Sequence, residues 1–437
     1  MSPPDEHYLI QSPPGGSAPA PVSGAVTSAQ ERQRGFNTLF ISLLCVGMGQ
    51  SLFFAVLPPL ARELGLTEVE TGAIFALSAV LWVVMSPFWG RRSDTWGRKP
   101  IILVGLFGFA VSTLGFALVV YAGLEGMLGV TAVFFCLVAV RSIFGTFGSG
   151  TMPGAQAYVA DRTTRSKRSA GVASIAAAFG VGTVIGPGFA SMLVSLGILT
   201  PFFVVSFLAT ASAVLVWYRL PERTAPMGTL ERQVRLKLTD RRIFPILIME
   251  VALAFSQTIV MQITAFYFMD TLELAPENTA QLVGVSFMAM AMAALFVQVV
   301  FIRSFDPGPL TLIYWGGGFS FLAFVLLVAG DSYGVLTGAL VFAGLGFGML
   351  RPGLMAAGSL LVSSREQGAM AGLLAGTAAV GHILNPVTGM PLYGVYPQGP
   401  FFLGAALMVL MVFYALASPR VRGLRDIADS DEQQDKV

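Results

Sequence analysis

The sequence predicts an all-α membrane protein, with twelve transmembrane helices in two pseudo-symmetric six-helix bundles. Composition is the first ground. Of 437 residues 55% are hydrophobic and 11% charged, and the mean hydropathy is +0.74. Too few polar groups remain to cover a soluble globule of this size. The second ground is a series of apolar runs of about 20 residues or more, the length that crosses a hydrocarbon core. They lie near 37–61, 69–90, 100–122, 129–160, 170–196 and 200–219, and after a polar stretch near 243–270, 279–303, 309–329, 333–362, 367–394 and 399–418. The third is internal repetition. Gly145 and Met152-Pro153-Gly154 are matched 199 residues on by Gly344 and Arg351-Pro352-Gly353, and the same offset carries Gly182 to Gly381 and Pro187 to Pro386. An offset of 211 carries Arg92-Ser93 and Gly97 to Arg303-Ser304 and Gly308. Two copies of one six-helix unit, related by an axis along the membrane normal, put the substrate site at their interface near mid-membrane.

In chain order, residues 1–36 are rich in Pro, Ser, Gly and Ala and read as a disordered cytoplasmic tail. The opening MSPPDEHYLI has no basic region followed by an apolar one, so no cleaved signal peptide is expected. Residues 37–219 form the first bundle. Its second and third spans are joined by GRRSDTWGRK, Gly90 to Lys99, a basic island that reads as a tight turn facing the cytoplasm. Residues 220–242 are a cytoplasmic linker in which Leu230, Val234 and Leu238 recur at helical spacing among basic residues. They read as a short interfacial helix, or simply as a positive linker that fixes topology. Residues 243–418 form the second bundle, and 419–437 a polar cytoplasmic tail. With both termini inside, the inner loops collect Arg91, Arg92, Arg98, Lys99, Arg162, Arg165, Lys167, Arg168, Arg303, Arg365, Arg420, Arg422 and Arg425. The outer loops receive Arg62 alone, which sets the orientation. Cys45 and Cys136 sit inside apolar runs as packing residues, without metal or disulfide spacing. The Gly-x-Gly matches lie inside spans, where no nucleotide loop can form.

Gly90, Asp94, Gly97, Arg98 and Lys99 fall as in the signature loop between the second and third spans of the major facilitator superfamily, which the sequence therefore resembles over about residues 37–418. Thr95 departs from that loop, where Arg or Lys is usual. In the fourth span Arg141 with Gly145 is similar to a second family motif, with Phe144 in place of the usual Gln. In the fifth, Gly182-x-x-x-Gly186-Pro187 resembles the motif of drug/proton antiporters, closing on Ala190-Ser191 instead of a Gly pair. The resemblance implies a transporter, not an enzyme, in the cell membrane. Its expected function is export of drug-like or amphipathic molecules by proton antiport with alternating access. Metabolite uptake or facilitated movement by the same fold, or a receptor without transport, are the alternatives. The implied partners are a small-molecule substrate, protons and the lipid bilayer, with no cofactor, metal or nucleic acid, in a monomer.

An intramembrane arginine costs about 2.5–3.5 kcal/mol on insertion scales, so Arg141 must face a cavity or a partner. The resemblance gives it an influence on a proton site or a hold on an anionic group. The glycines of 180–191 let helices approach closely, and Pro187 removes a backbone bond, so a thin-packed, bent helix is expected there. The first and seventh spans are expected to line the cavity with Gln50, Phe53 and Phe54, then Gln257, Met261, Phe266 and Tyr267; Phe144 and Phe347 join them from the fourth and tenth. Aromatics and Met with a few uncharged hydrogen-bonding groups suit a lipophilic substrate. His382, mid-helix in the eleventh span, is either a titrating group or a hydrogen-bonded packing residue. On the inner side, the resemblance docks Asp94 at the start of the eleventh span near Gln367 to Met370, and pairs Arg98 with Asp161, both holding the halves together when the cavity faces out. Finally, Glu250 shares a helix face with Gln257, seven residues on. Arg351, across the cavity on an antiparallel helix, falls at a depth that brings the two within ion-pair reach. Glu250 is thus the leading proton carrier among Glu250, Arg141, Arg351 and His382, the alternatives being a permanent structural pair with Arg351 or a carboxylate that reaches to the inner interface.

Overall fold

A computed structural model of the chain describes residues 29–163, 165–221, 236–363 and 366–423. Twelve helical spans cross the molecule, as the apolar runs require. The first bundle contains α1 (Ala29–Glu63), α2 (Glu68–Trp96), α3 (Arg98–Leu124), α4 (Val130–Phe147), α5 (Thr151–Asp161), α6 (Arg165–Val194) and α7 (Thr200–Arg219). The second contains α8 (Phe244–Leu272), α9 (Pro276–Phe296), α10 (Ile302–Phe305), α11 (Pro309–Ala329), α12 (Tyr333–Leu360), α13 (Gln367–Leu384), α14 (Gly389–Val395) and α15 (Gly399–Ala417), followed by the short α16 (Pro419–Arg422). Three spans are composite. A 3₁₀ turn at Gly148–Gly150 joins α4 to α5, a π segment at Val297–Phe301 joins α9 to α10, and turns around Pro386 join α13 to α14.

Two boundaries differ from the sequence reading. Residues 29–36, expected in the tail, are helical and extend α1, because Ala29 to Arg34 are all good helix formers and a single Gly35 does not stop them before the apolar run. The basic island is not a ten-residue turn either: α2 runs through it to Trp96, and Gly97 alone separates α2 from α3. Its φ of 97° is open only to glycine at little cost, so this one residue reverses the chain. At the other end of α2 Thr67 caps Glu70 and Glu70 caps Thr67, a reciprocal box that fixes where the span starts. Of the expected linker helix, Leu230 and Val234 lie outside the described residues, and Leu238 sits in a turn.

The repeated glycines mark equivalent contacts. Gly145 lies against Ser78 of α2, and Gly344 against Met290 of α9. Gly182 lies against Leu44 of α1, and Gly381 against Ala254 of α8. Each half thus uses glycine to seat its fourth span on its second and its fifth on its first. A Cβ at Gly182 would be driven into the Leu44 carbonyl and come within 2.8 Å of the Met48 nitrogen, whereas at Gly180 it would meet open space. Overpacking of this kind costs about 1–3 kcal/mol. Gly182→Val is therefore expected to lower the melting temperature of the purified protein, with Gly180→Ala leaving it unchanged; equal melting of the two would mean that α1 and α6 are not held at this separation.

The face where α1 enters and α15 leaves is termed proximal, the other distal. The halves meet chiefly along α6 with α9, α1 with α9 and α8, and α2 with α13 and α14. Near the distal end these contacts are close: Gly72 of α2 packs on Pro386 and Met390, Gly188 on Met288, and the Ser191 hydroxyl donates to the Gln281 carbonyl at 2.9 Å. Toward the proximal end, Gly368, Gly372 and Gly376 of α13 face open space.

Candidate substrate and coupling site

Glu250 and Gln257 lie one above the other on α8, seven residues apart. Arg351 of α12 bridges them, donating from Nη1 to Glu250 Oε1 at 3.1 Å and from Nη2 to Gln257 Oε1 at 2.8 Å. The carboxylate is 1% exposed, whereas the Arg351 side chain is 38% exposed. Glu250 Oε2 has no partner among the described residues. A buried carboxylate held by a single charge-assisted contact can keep its charge through Arg351 or lose it by taking a proton. Beside Arg351 on α12, Gly344 and Gly348 pack on Met290 and Ala294 of α9, and Phe347, expected in the cavity wall, is buried.

In the first half Arg141, about three turns from the repeat position of Arg351, also reaches a glutamine. Its Nη2 donates to Gln50 Oε1 at 3.4 Å, and its guanidinium carbon lies 4.1 Å from the ring centre of Phe53 and 4.8 Å from that of Phe144. Each half thus joins an arginine to a glutamine of its first helix. On α1 Phe54 stacks on Phe75 at 5.1 Å and, across to the second half, on His382 at 6.3 Å. His382 Nδ1 is 3.3 Å from Gln262 Nε2, and Gln262 Oε1 accepts from Asn385 at 2.9 Å. His382 is therefore seated in a packed polar cluster with Gln262 and Asn385, neither anticipated; the signal available was an amide in each of two apolar spans.

The expected cavity wall is only partly where the sequence put it. Gln50, Phe54, Gln257 and Met261 are partly exposed. Phe53, Phe144, Phe266 and Tyr267 are buried instead. Phe53 packs on Phe116 and Phe202 inside the first bundle, and Tyr267 on Phe401 of α15. Aromatic content alone does not say which side of a helix faces its own bundle.

On the proximal face, Arg98 Nε donates to Asp161 at 2.9 Å, and Arg98 also holds Asp94 and the Ser93 hydroxyl. Ser93 in turn donates to the Gly90 carbonyl at 2.7 Å. All these groups belong to the first bundle, so the Arg98–Asp161 pair ties α3 to α5 and does not bridge the halves. The start of α13, where Asp94 was expected to dock, is held within its own half: Arg242 Nη2 donates to Glu366 at 3.1 Å, and the Ser363 N–H and hydroxyl donate to the same carboxylate at 3.0 and 2.9 Å. Arg242 first, and then Ser363, hold the Glu366 carboxyl down at about 2.

On the distal face the sequence reading missed the main contact. Arg62, the lone cation of that side, forms an ion pair with Asp270 at the end of α8, using both carboxylate oxygens, and donates to Glu68 at 2.6 Å. It also lies over the ring of Phe266, 5.4 Å from its centre, and Tyr393 of α14 donates to Asp270. This network joins the two bundles.

Twelve membrane spans in two bundles that meet closely at one end, with an ion pair between α8 and α12, are the architecture of a carrier of small molecules. The chain belongs to the Major Facilitator Superfamily, whose profile matches residues 39–386. It is 24% identical over 388 residues to the quinolone resistance protein NorA of Staphylococcus aureus (strain MRSA252), covering 88% of this chain and 96% of that protein. With multidrug resistance protein 2 of Bacillus subtilis (strain 168) it shares 32% over 195 residues, 45% of this chain and 46% of that one. Among solved structures, a bacterial homologue of the human lysosomal transporter Spinster, inward-facing and unoccupied, matches with a TM-score of 0.70 at 13% identity over 92% of this chain and 98% of that one. The human organic anion transporter MFSD10 (TETRAN) matches at 0.60 and 21% identity, over 88% and 99%. The protein is a multi-pass membrane transporter, not an enzyme.

Proposed function

We propose that this transporter exports drug-like amphipathic molecules in exchange for protons. The observation that carries the reading is the Glu250–Arg351–Gln257 cluster, a buried carboxylate with one free oxygen beside a half-exposed arginine. Such a carboxylate can exchange a proton as substrate and solvent come and go in the space beside it. Similarity to the quinolone and multidrug resistance proteins supports export over uptake, as does the Gly182-x-x-x-Gly186-Pro187 pattern on α6. The excess of basic residues puts the proximal face in the cytoplasm. The state described here is then closed outside by Arg62 and Asp270 and open inside, and Arg141, Arg351 and His382 act around the carrier Glu250 without carrying the proton themselves.

Proteoliposomes that contain the protein and carry an imposed proton gradient test this. An amphipathic dye should move against its own gradient while the proton gradient lasts, and stop when a protonophore is added. Movement that only equilibrates the dye, indifferent to the protonophore, would replace antiport by facilitation.

A further inference from the structure

We propose that His382 is the specificity-determining residue of the substrate site: Asn385 and Gln262 hold it as a neutral imidazole with its proton on Nε2, and this donor selects planar aromatic molecules that carry a hydrogen-bond acceptor at the ring edge. The inference rests on the reading of the space between the halves as the substrate site and names a class of molecule for it. The chain of bonds starts at Asn385, which is 0% exposed and donates from Nδ2 to Gln262 Oε1 at 2.9 Å. With its oxygen so engaged, the Gln262 amide turns its Nε2 to His382, 3.3 Å from Nδ1. An amide nitrogen donates and does not accept, so Nδ1 must accept. A ring that accepts at Nδ1 is neutral and carries its proton on Nε2. An imidazolium would set one N–H against another.

Nε2 has no hydrogen-bond partner among the described residues, and the ring is partly exposed. Phe54 of α1, also partly exposed, lies 6.3 Å from the imidazole at 12°, so the opening falls where the halves face one another. At that separation the imidazole does not cover the Phe54 ring. Because the two planes are nearly parallel, a flat molecule that takes the Nε2 hydrogen bond at its edge can lie along that ring. The first half shows how little plain packing needs. The 199-residue offset takes Thr183 to His382 and Gly186 to Asn385. Thr183 donates to the Gly180 carbonyl of its own helix at 2.7 Å, and Gly186 lets α6 close on Met48 and Ser51. A Thr and a Gly thus seat this span on the first helix of its half, whereas the second half has a His and an Asn there, and an amide on α8 that binds both. Gln262 is five residues beyond Gln257 on α8, a rise of about 7.5 Å, so a molecule bonded to His382 is a near neighbour of the Glu250, Gln257 and Arg351 cluster.

Equilibrium dialysis with the purified full-length protein in nanodiscs tests this without requiring transport, with protein-free nanodiscs to subtract partition into lipid. The probes are 2-acetylnaphthalene, 2-ethylnaphthalene and 2-aminonaphthalene, one flat body carrying an acceptor, neither group, or a donor. The ketone should bind about fivefold more tightly than the hydrocarbon, the scale of one net hydrogen bond, and the amine no more tightly than the hydrocarbon. His382→Gln places an amide N–H where Nε2–H was and should keep the preference. His382→Asn keeps an acceptor for Gln262 where Nδ1 was but has no outer donor, and should lose it. Equal binding of the three probes to the parent would overturn the inference, as would a preference kept by the Asn variant and lost by the Gln variant, the pattern of a residue that only packs. The ring can also be read in the parent fold, since His7 and His382 are the only histidines of the chain. In His7→Ala with labelled histidine at neutral pH, nitrogen chemical shifts should show a neutral ring protonated on Nε2, and the ketone, not the hydrocarbon, should move that signal. A proton on Nδ1, or on both nitrogens, or a signal indifferent to the ketone would overturn the inference whatever the variants do. Ketone selection without proton-driven movement would sink only the antiport reading, whereas proton-driven export indifferent to the acceptor would sink only this one.

Discussion

Glu250→Gln is expected to reduce proton-driven export to the passive leak while leaving substrate binding nearly intact. The substitution preserves shape and keeps an oxygen within reach of Arg351 Nη1, now at 3.1 Å from the carboxylate. What it removes is the ability to gain and lose a proton, which every cycle of exchange requires. It also leaves Arg351 without a counter-charge, although its 38% exposed side chain can reach water and so avoids the full cost of an orphaned buried ion. In proteoliposomes with an imposed proton gradient the loss should exceed about tenfold, equivalent to about 1.4 kcal/mol of coupling. Binding of the same dye should change far less. Full export by the variant would remove Glu250 from the mechanism and leave the pair a structural brace.

Breaking the distal network is expected to shift the balance of conformations. Arg62 and Asp270 come from different halves, so their contact cannot persist when the distal face opens. Glu68, on the same half as Arg62, positions the guanidinium without bridging the halves, and Tyr393 does the same for Asp270. Both ionic side chains are about one-third exposed, 31% and 33%, so solvent screening keeps the bridge to about 1 kcal/mol, plus a smaller contribution from the Phe266 ring. Removing it should raise the ratio of distal-open to distal-closed molecules by about tenfold. Spin labels on Glu125→Cys and Asp331→Cys, one in each half on distal turns, would read this as a second, longer distance in Arg62→Ala. Asp270→Asn should give the same result, because it removes the other end of the bridge. A distance distribution identical to that of the parent would show that packing of α2 on α13 and α14, and of α6 on α9, closes this face unaided.

Much of this was written locally in the chain. Span number, the division into two halves and the pairing of Glu250 with Arg351 all follow from hydropathy, a repeat offset and helical rise, quantities that depend on neighbours in sequence. Gly182 and Gly186 of α6 were readable as packing positions for the same reason, since a missing side chain is useful where another helix comes close. Rotation of each helix about its own axis was not readable. An apolar span is hydrophobic on every side, because lipid and bundle interior are equally apolar, so no polar face marks which residues turn inward. That is why Phe53 and Tyr267, expected to meet substrate, lie instead in the bundle cores, and why Gly344 and Gly348 turn to α9.

Contacts between polar groups far apart in sequence were the other gap. Arg62 and Asp270 are 208 residues apart, and Gln262 and His382 are 120 apart. Which acid the lone distal arginine chooses among Glu63, Glu68, Glu70 and Asp270 depends on how the bundles tilt, and the residues do not encode that tilt singly. The same holds for Arg98. Its pairing with Asp161 was legible, but only the packed helices decide that the pair braces one bundle and does not latch two. Conformation is the extreme case: the chain must be stable in more than one arrangement, so its sequence specifies the helices and their packing faces, and the balance of contacts at the two ends selects which face is open.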